Sequence, residues 1–548
     1  MKVSRNICFV AVVAVYGVCA AAVYESVIEP LEGECWWGGI LNDGAEMPYA
    51  TTDAPRDLAC LNMGGTTAPF FVSSAGRYIW SDRPFAYSAS NGVLRIVSDV
   101  ECVKPVQAGS TLKDAYLAAS RRHFPFSGKT PAELLFTMPQ WNNWIEIAIQ
   151  GMKQSSVDAY TDALAASGFP CGVYIMDGGW YTHQGSYAFY EPDFPDPRGM
   201  FGRIRANGWK SMIWTAHFVS PDSREYKRLR RGRGYMIDGL DVLAYRKDRN
   251  GTAAGVVWWW SGISCVYDLT YAPGRKTYLE TLQRFAADYG IDGFKFDAGD
   301  VPRLSDVRFH DPAMEPVDYA HEYVKLGAEN FPYNEYRSGF RTGGMPVMQR
   351  LRDQGHTWNA LGKISQIVQA AGLIGSPYVV ADMIGGGEAG AFRPGGYFSE
   401  KLFVRYCALQ VLHPMMQFSA APWRYLSPEG VRICREFAEL HVSYGKRIFE
   451  LARHAAETGE PIVRTMEYEF PHQGFNRAMT QFMLGDDLLV APVVTEDDTV
   501  VVELPRGDWM DDFGKRHTGP AILRLDNVPL SRLPRYVRLP CGTAQKGK

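Results

Sequence analysis

The chain has 548 residues, of which 46% are hydrophobic, enough to bury large cores and to divide into several domains of ~150 residues. Its 57 basic and 60 acidic side chains leave a formal charge of −3, so no field of one sign attracts a polyanion or a membrane surface, and nucleic acid is excluded as a partner. Aromatic residues make up 13%, with 14 Trp, and such rings form platforms for flat, partly apolar ligand faces.

Lys2 and Arg5 precede an apolar run from Ile7 to Val18 and small residues from Cys19 to Ala22. This is the layout of a secretory signal peptide, assigned to residues 1–22, and it implies a periplasmic or secreted mature protein. Val18 disfavours lipidation at Cys19, and no later run reaches the ~18 apolar residues of a membrane span. Beyond Cys8 and Cys19, the cysteines show no CxxC or Cys/His spacing, so mostly buried free thiols with room for one bridge are expected. Residues 23–125 are punctuated by Gly and Asp and read as a sandwich-like β domain, for example in GRYIWSDRPFAYS (Gly76 to Ser88).

Over residues 126–455 apolar strands alternate with helical stretches, the pattern of a (β/α)8 barrel. Its expected strands are CGVYIMD (Cys171 to Asp177), WKSMIWTAHF (Trp209 to Phe218), IDGFKFD (Ile291 to Asp297), SPYVVADM (Ser376 to Met383) and HPMMQFS (His413 to Ser419). The stretch Arg275 to Gly290 reads as a helix ending on a Gly cap. Residues 456–548 return to strands and read as a C-terminal β-sandwich. The fold class is therefore α/β, a barrel flanked by two β domains.

In such barrels the chemistry sits at the C-terminal ends of the strands. The candidates are Asp177, the stretch from Trp214 to His217, Asp297 and Asp382, each of which could alternatively cap a helix. Hydrolysis of a glycoside needs one carboxylate at the anomeric carbon and another to protonate the departing oxygen. Asp297 suits the first role, since Lys295 lies two residues earlier on the same side of the strand and would keep it ionised. Asp353, on the RLRDQGHTW loop, suits the second, the alternative being a surface ion pair with Arg350 or Arg352. Phosphate loops, GxSxG elbows, HExxH pairs and dinucleotide fingerprints are absent.

Four segments, in order, resemble glycoside hydrolase family 31 over nearly all of the mature chain. They are IMDGGWY with the following stretch Asp193 to Trp214, then DGFKFDAGD (Asp292 to Asp300), RSGFRTGGMPVMQRLRDQGHTW (Arg337 to Trp358) and GLIGSPYVVADMIGGG (Gly372 to Gly387). The resemblance implies a retaining exo-α-glycosidase acting by double displacement, with Asp297 as nucleophile and Asp353 as general acid/base. It also implies that Asp177, Trp214, Lys295, Arg337, Arg350 and Asp382 line a sugar pocket, with Trp260 and Asp300 counted among the substrate-binding candidates. The partner is then an oligosaccharide or glycoconjugate substrate, and no metal or organic cofactor is expected.

Two departures bear on the sugar. Asp300 stands where the family usually has Glu, and HPMMQFSAAPWRY places Ser419 near a position where many family α-glucosidases have His. This wording is similar to the branch with myogenesis-regulating glycosidase and bacterial α-galactosidases. An α-galactosidase is favoured over an α-glucosidase, with α-xylosidase and α-N-acetylgalactosaminidase behind. A non-catalytic carbohydrate-binding protein and a transglycosylase or lyase on the same framework are the rival readings. Trp36, Trp37 and Asp82 mark an early region that could lend a loop to the pocket.

Overall fold

The structure is a computed structural model of the full chain and describes residues 7–12, 22–60, 64–230, 242–246, 254–305 and 307–540. The expected signal cleavage near Ala21, Cys19 and Cys541 lie outside the described residues. Eight parallel strands form the central sheet: β1 (Gln140–Asn142), β2 (Val173–Met176), β3 (Lys210–Ala216), β4 (Gly293–Asp297), β5 (Tyr333–Tyr336), β6 (Met348–Arg350), β7 (Val379–Val380) and β8 (Gln417–Phe418). They pair in chain order with β8 beside β1, and a parallel bridge from Val380 to Met415 joins the two ends of the sheet. The helices that follow the strands include α1 (Gln154–Ser167), α2 (Pro197–Ala206), α3 (Ala272–Tyr289), α4 (Pro316–Asn330), α5 (Trp358–Leu373), α6 (Glu400–Gln410) and α7 (Pro428–Thr458). The barrel expected from the sequence is thus present, and α3 ends on Gly290 at φ +69, as its cap glycine predicts.

Alternation along β4 explains its composition. Phe294 and Phe296 point outward, where they pack on Phe331, Tyr323 and Tyr336. Lys295 and Asp297 occupy the other face, inside the barrel, because side chains on a strand alternate. The interior is unusually polar for a fold whose core is usually branched aliphatic. Gln140, Asn142, Lys295, Glu335, Arg350 and Gln417 are all buried there, and Gln417 Nε2 donates to both Gln140 Oε1 (3.2 Å) and Glu335 Oε2 (3.0 Å).

Strict alternation of strand and helix fails at one place: β5 runs to β6 with no intervening helix. The connection instead places Gly339–Phe340 parallel to Thr66 and Thr67, adding a strand to an N-terminal sheet. That sheet also contains Trp36–Ile40, Thr66–Ser73, Arg77–Trp80 and Val106–Gln107. A second N-terminal sheet runs through Ala22–Ile28, Val93–Ser98, Ala86–Ser90 and Arg56–Asp57, with the backbone of Ile7–Val12 on its edge. The C-terminal β domain has its described strands in one antiparallel sheet of six. Cys102 is disulfide-bonded, and Cys171, Cys265, Cys407 and Cys434 are buried free thiols. No described helix is long and apolar enough to cross a membrane.

Gly293 shows how tightly β4 sits against β5, since an added Cβ would lie 1.9 Å from the Tyr333 carbonyl oxygen. Gly293→Ala should therefore lower stability by about 3 kcal/mol or more, read as a fall in the urea midpoint. Gly202→Ala in α2, where nothing lies within 4 Å, is the control and should stabilise by about 0.5–1 kcal/mol. Equal midpoints for the two variants would show that strand approach does not constrain this position.

Candidate active site

The C-terminal ends of seven strands, β1 to β7, and the segments that follow them surround a cavity of about 470 Å³. Asp177 follows β2, Trp214 lies on β3, Lys295 and Asp297 on β4, Arg337 follows β5, Arg350 ends β6 and Asp353 stands on the loop after it. All seven line this one cavity, so the sequence-derived carboxylates Asp297 and Asp353 share a single pocket.

Asp297 is held from both sides. Trp214 Nε1 donates to Oδ2 at 3.0 Å, while Oδ1 receives the Ala298 N–H at 2.8 Å and lies 2.9 Å from Arg337 Nη2. Ala298 adopts φ +63, a left-handed conformation that non-glycine residues avoid, and this turn is what brings its N–H back onto the carboxylate. Burial alone would raise the Asp297 pKa. Arg337, Arg350, Lys295 and the Trp214 hydrogen bond outweigh it and hold the group at about 2, so it is ionised throughout the physiological range.

Asp353 is tied to the same cations from the opposite wall. Arg350 Nη1 donates to its Oδ1 at 2.8 Å, and Arg337 Nη1 lies 3.7 Å from its Oδ2, so one guanidinium spans both carboxylates. Its side chain is 37% exposed, against 11% for Asp297. Burial pushes its pKa up, but Arg350 and Arg337 prevail and keep it below the usual carboxylate range in the open site. The anticipated ion pair with Arg350 thus exists, on a cavity wall rather than on the surface.

Asp382 does not reach the cavity. It is fully buried at φ +70, its Oδ1 receives the same Arg350 Nη1 at 2.8 Å, and its Oδ2 accepts the backbone N–H groups of Gln354 (2.7 Å) and Gly387 (2.8 Å). Its carboxylate therefore clamps the loop that carries Asp353. Burial drives the Asp382 carboxyl upward, with the Asp353 charge adding to the effect against Arg350 and the N–H donors.

Lys295 Nζ donates to Asp177 Oδ2 at 2.6 Å and lies 3.8 Å from Glu335 Oε1, whose other neighbour is Arg350 Nε at 2.9 Å. Asn142 Nδ2 also donates to Asp177 Oδ2, at 3.2 Å, leaving the Asp177 carboxylate oriented at the pocket edge. Glu335 was not among the sequence candidates. A signal existed, since it precedes Arg337 by two residues just as Lys295 precedes Asp297. Trp144, Tyr181, Ser261 and Met383 are further lining residues that the strand-end argument did not reach, because Trp144 opens a short helix (Trp144–Gln150) and the others lie on loops.

Trp260 lies in the turn of a hairpin (Val256–Trp259, Gly262–Val266) between β3 and α3, with the Arg337 and Arg303 guanidiniums over its ring at 5.5 and 4.9 Å. Asp300 stands apart in an adjoining recess, its Oδ1 taken by Ser338 Oγ (2.6 Å) and the Gly64 N–H (2.9 Å). The N-terminal domain thus approaches the site through Gly64. Trp36 and Trp37 are buried in their own sheet, and Asp82 lines a different cavity. Ser419 is buried and its Oγ receives the Ile145 N–H at 2.8 Å, so it does not open into the pocket. His217 is likewise fully buried, with burial pushing its pKa down to about 3. Among the described residues no cluster of His, Cys, Asp or Glu is arranged to hold a metal.

Residues 136–444 match the family model for the glycosyl hydrolases family 31 TIM-barrel domain, and residues 459–539 match that for the family 31 C-terminal domain. Myogenesis-regulating glycosidase of Mus musculus is 30% identical over 77% of this chain and 59% of its own length. Alpha-xylosidase of Emericella nidulans is 25% identical over 83% of this chain and 60% of its own. The chain therefore spans about three fifths of these relatives. Among solved structures, a Flavobacterium johnsoniae GH31 dextranase complexed with glucose superposes over 96% of this chain and 67% of that chain, with a TM-score of 0.79 at 18% identity. A GH31 alpha-xylosidase from a soil metagenome complexed with xylose, at 19% identity, also gives 0.79, over 96% and 81%. The match of a family model over more than half of the residues, on a barrel with this charge arrangement, places the chain in glycosyl hydrolase family 31.

Proposed function

We propose that the chain is a retaining exo-α-glycosidase, and that its preferred substrates are α-galactosides. The observation that carries the reading is the Arg337 guanidinium lying against both Asp297 and Asp353 in one cavity. Asp297 is ionised and attacks the anomeric carbon; Asp353 delivers a proton to the departing oxygen and later deprotonates water. Bound sugar covers the exposed edge of Asp353 and removes its water, which raises its pKa toward that of a working acid.

The glycone preference rests on the resemblance to the branch of the family noted above, and the relatives' names carry the competing readings. They include an alpha-glucosidase of Saccharolobus solfataricus and a 1,3-alpha-isomaltosidase of Kribbella flavida. We read the chain as exported, on the layout of its first 22 residues.

A panel of aryl α-glycosides tests the sugar, with α-galactoside expected to give the highest kcat/KM; faster hydrolysis of α-glucoside or α-xyloside would reassign it. Asp297→Ala should lower kcat at least roughly a thousandfold. Retained turnover in that variant would remove the nucleophile assignment, and a wild-type chain that binds sugar without turning it over would favour the carbohydrate-binding alternative.

Asp353→Ala should cost about 10²–10⁴-fold on a disaccharide and under about tenfold on an activated aryl glycoside, since only the former needs protonation. Equal losses on both would put the acid elsewhere.

Asp382→Asn removes a negative charge that shares Arg350 Nη1 with Asp353, so Asp353 should release its proton more readily. The basic limb of the kcat/KM profile should then move to lower pH. An unchanged or raised limb would show that Asp382 does not act on the proton of Asp353.

A further inference from the structure

A second recess of about 660 Å³ adjoins the catalytic cavity and shares Trp260, Arg337 and Asp353 with it. If Asp353 protonates the departing oxygen, the leaving group lies on this side, so the inference rests on the function proposed above. The charged groups of the recess fall into two sets. Arg337 is engaged by Asp297, and Arg303 by Asp300 at 3.4 Å and by the Trp260 ring.

Arg352 and Lys363 are different: both are exposed, both line the recess, and among the described residues neither is paired with a carboxylate. Glu388 is the one lining carboxylate likewise left without a cation. Asp353 must carry a proton when a leaving group is bound, which removes its charge from the balance. The substrate-binding state therefore presents two uncommitted cations against one uncommitted carboxylate. A lone surface Arg or Lys is ordinarily just solvated. Here the Arg352 backbone is fixed by Gln354 Nε2 donating to its carbonyl at 2.8 Å, and its position next to Asp353 sets it beside the reacting bond. The first residues of α5, Asn359 and Ala360, line the same recess, and the positive end of that helix adds to the field.

We propose that this recess selects an anionic leaving group, a sugar bearing a carboxylate or a sulfate ester, held by Arg352 and Lys363. Neutral donors on Thr357, Asn359 and Gln354 supply contacts to its hydroxyls, and Trp260 offers an edge to its ring face.

The test uses the full chain with matched disaccharides of one glycone, linked α to glucose, glucuronic acid or 6-sulfoglucose. Expected is a kcat/KM about tenfold higher for an anionic leaving sugar at low ionic strength, with the advantage shrinking as salt rises. Arg352→Ala and Lys363→Ala should each lower the anionic-to-neutral ratio several-fold, the double variant should bring it to about one, and Glu388→Gln should raise it. Preference for the sulfate over the carboxylate, or the reverse, identifies which anion the recess fits. A ratio at or below one in the wild type, or one that the variants leave unmoved, overturns the proposal while leaving the glycosidase reading intact. Binding of free glucuronate and glucose, followed by saturation-transfer NMR, reads the recess without turnover. Glucuronate should bind the more tightly and lose that advantage in Arg352→Ala/Lys363→Ala; equal binding overturns the inference even in a chain that cleaves nothing.

Discussion

Arg350 is the interaction on which the site depends. Its guanidinium touches Glu335, Asp353 and Asp382 from the end of β6, although only 2% of the side chain is exposed. Removing such a cation from water costs several kcal/mol, and the cost is offset only because carboxylates converge on it from three elements. With Lys295 and Arg337 it balances Asp177, Asp297, Glu335, Asp353 and Asp382, so acids outnumber bases in the interior. A barrel stabilised only by branched aliphatic layers would not need this arrangement. The polar layer of Gln140, Glu335 and Gln417 beneath the pocket continues the network downward and gives Glu335 Oε2 a hydrogen bond from Gln417.

Two of the left-handed non-glycine residues belong to the site. Ala298 and Asp382 both take left-handed conformations, at a cost of about 1–3 kcal/mol each, and both are next to or part of the charge network. In each case the unusual turn aims an N–H or a carboxylate at a specific partner: the Ala298 amide at Asp297, and Asp382 at the Gln354 and Gly387 amides. Gly386, at φ +91, completes the second turn, and a Cβ there would stand 2.4 Å from the Gln354 carbonyl oxygen. The loop that carries Asp353 and the loop after β7 are therefore packed backbone to backbone, which leaves Asp353 little freedom to drift from Asp297.

The same polarity decides what could be read in advance. Strands with apolar runs, such as those ending in Asp177, Trp214 and Asp297, were legible from their sequence, and so were the carboxylates that close them. β1, β5 and β6 were not, because their inward positions are Gln140, Asn142, Glu335 and Arg350, and a polar interior erases the pattern by which a buried strand is recognised. Glu335 was overlooked for that reason. The direct passage from β5 to β6 was equally hidden, since Gly339–Phe340 gains its strand only by pairing with residues far away in the chain. Arg337 comes from the family resemblance, and only that resemblance sets Asp353 above its alternative, since nothing local distinguishes a carboxylate on a loop from a surface ion pair.

Placement of a single proton distinguishes the two carboxylates. Asp297 has the tryptophan donor, its own turn amide and the nearer Arg337 nitrogen, whereas Asp353 has more solvent and a cation that it shares with buried Asp382. With acids in excess over bases, the site is stabilised by taking up a proton, and the cheapest place for it is the Asp353–Asp382 side. In the reaction proposed above, esterification of Asp297 by a sugar removes its charge and leaves Arg337 facing Asp353. The proton affinity of Asp353 then falls, which suits the base needed for the second displacement. Under that proposal, one guanidinium held against two carboxylates gives the acid and base steps their order without any movement of the barrel.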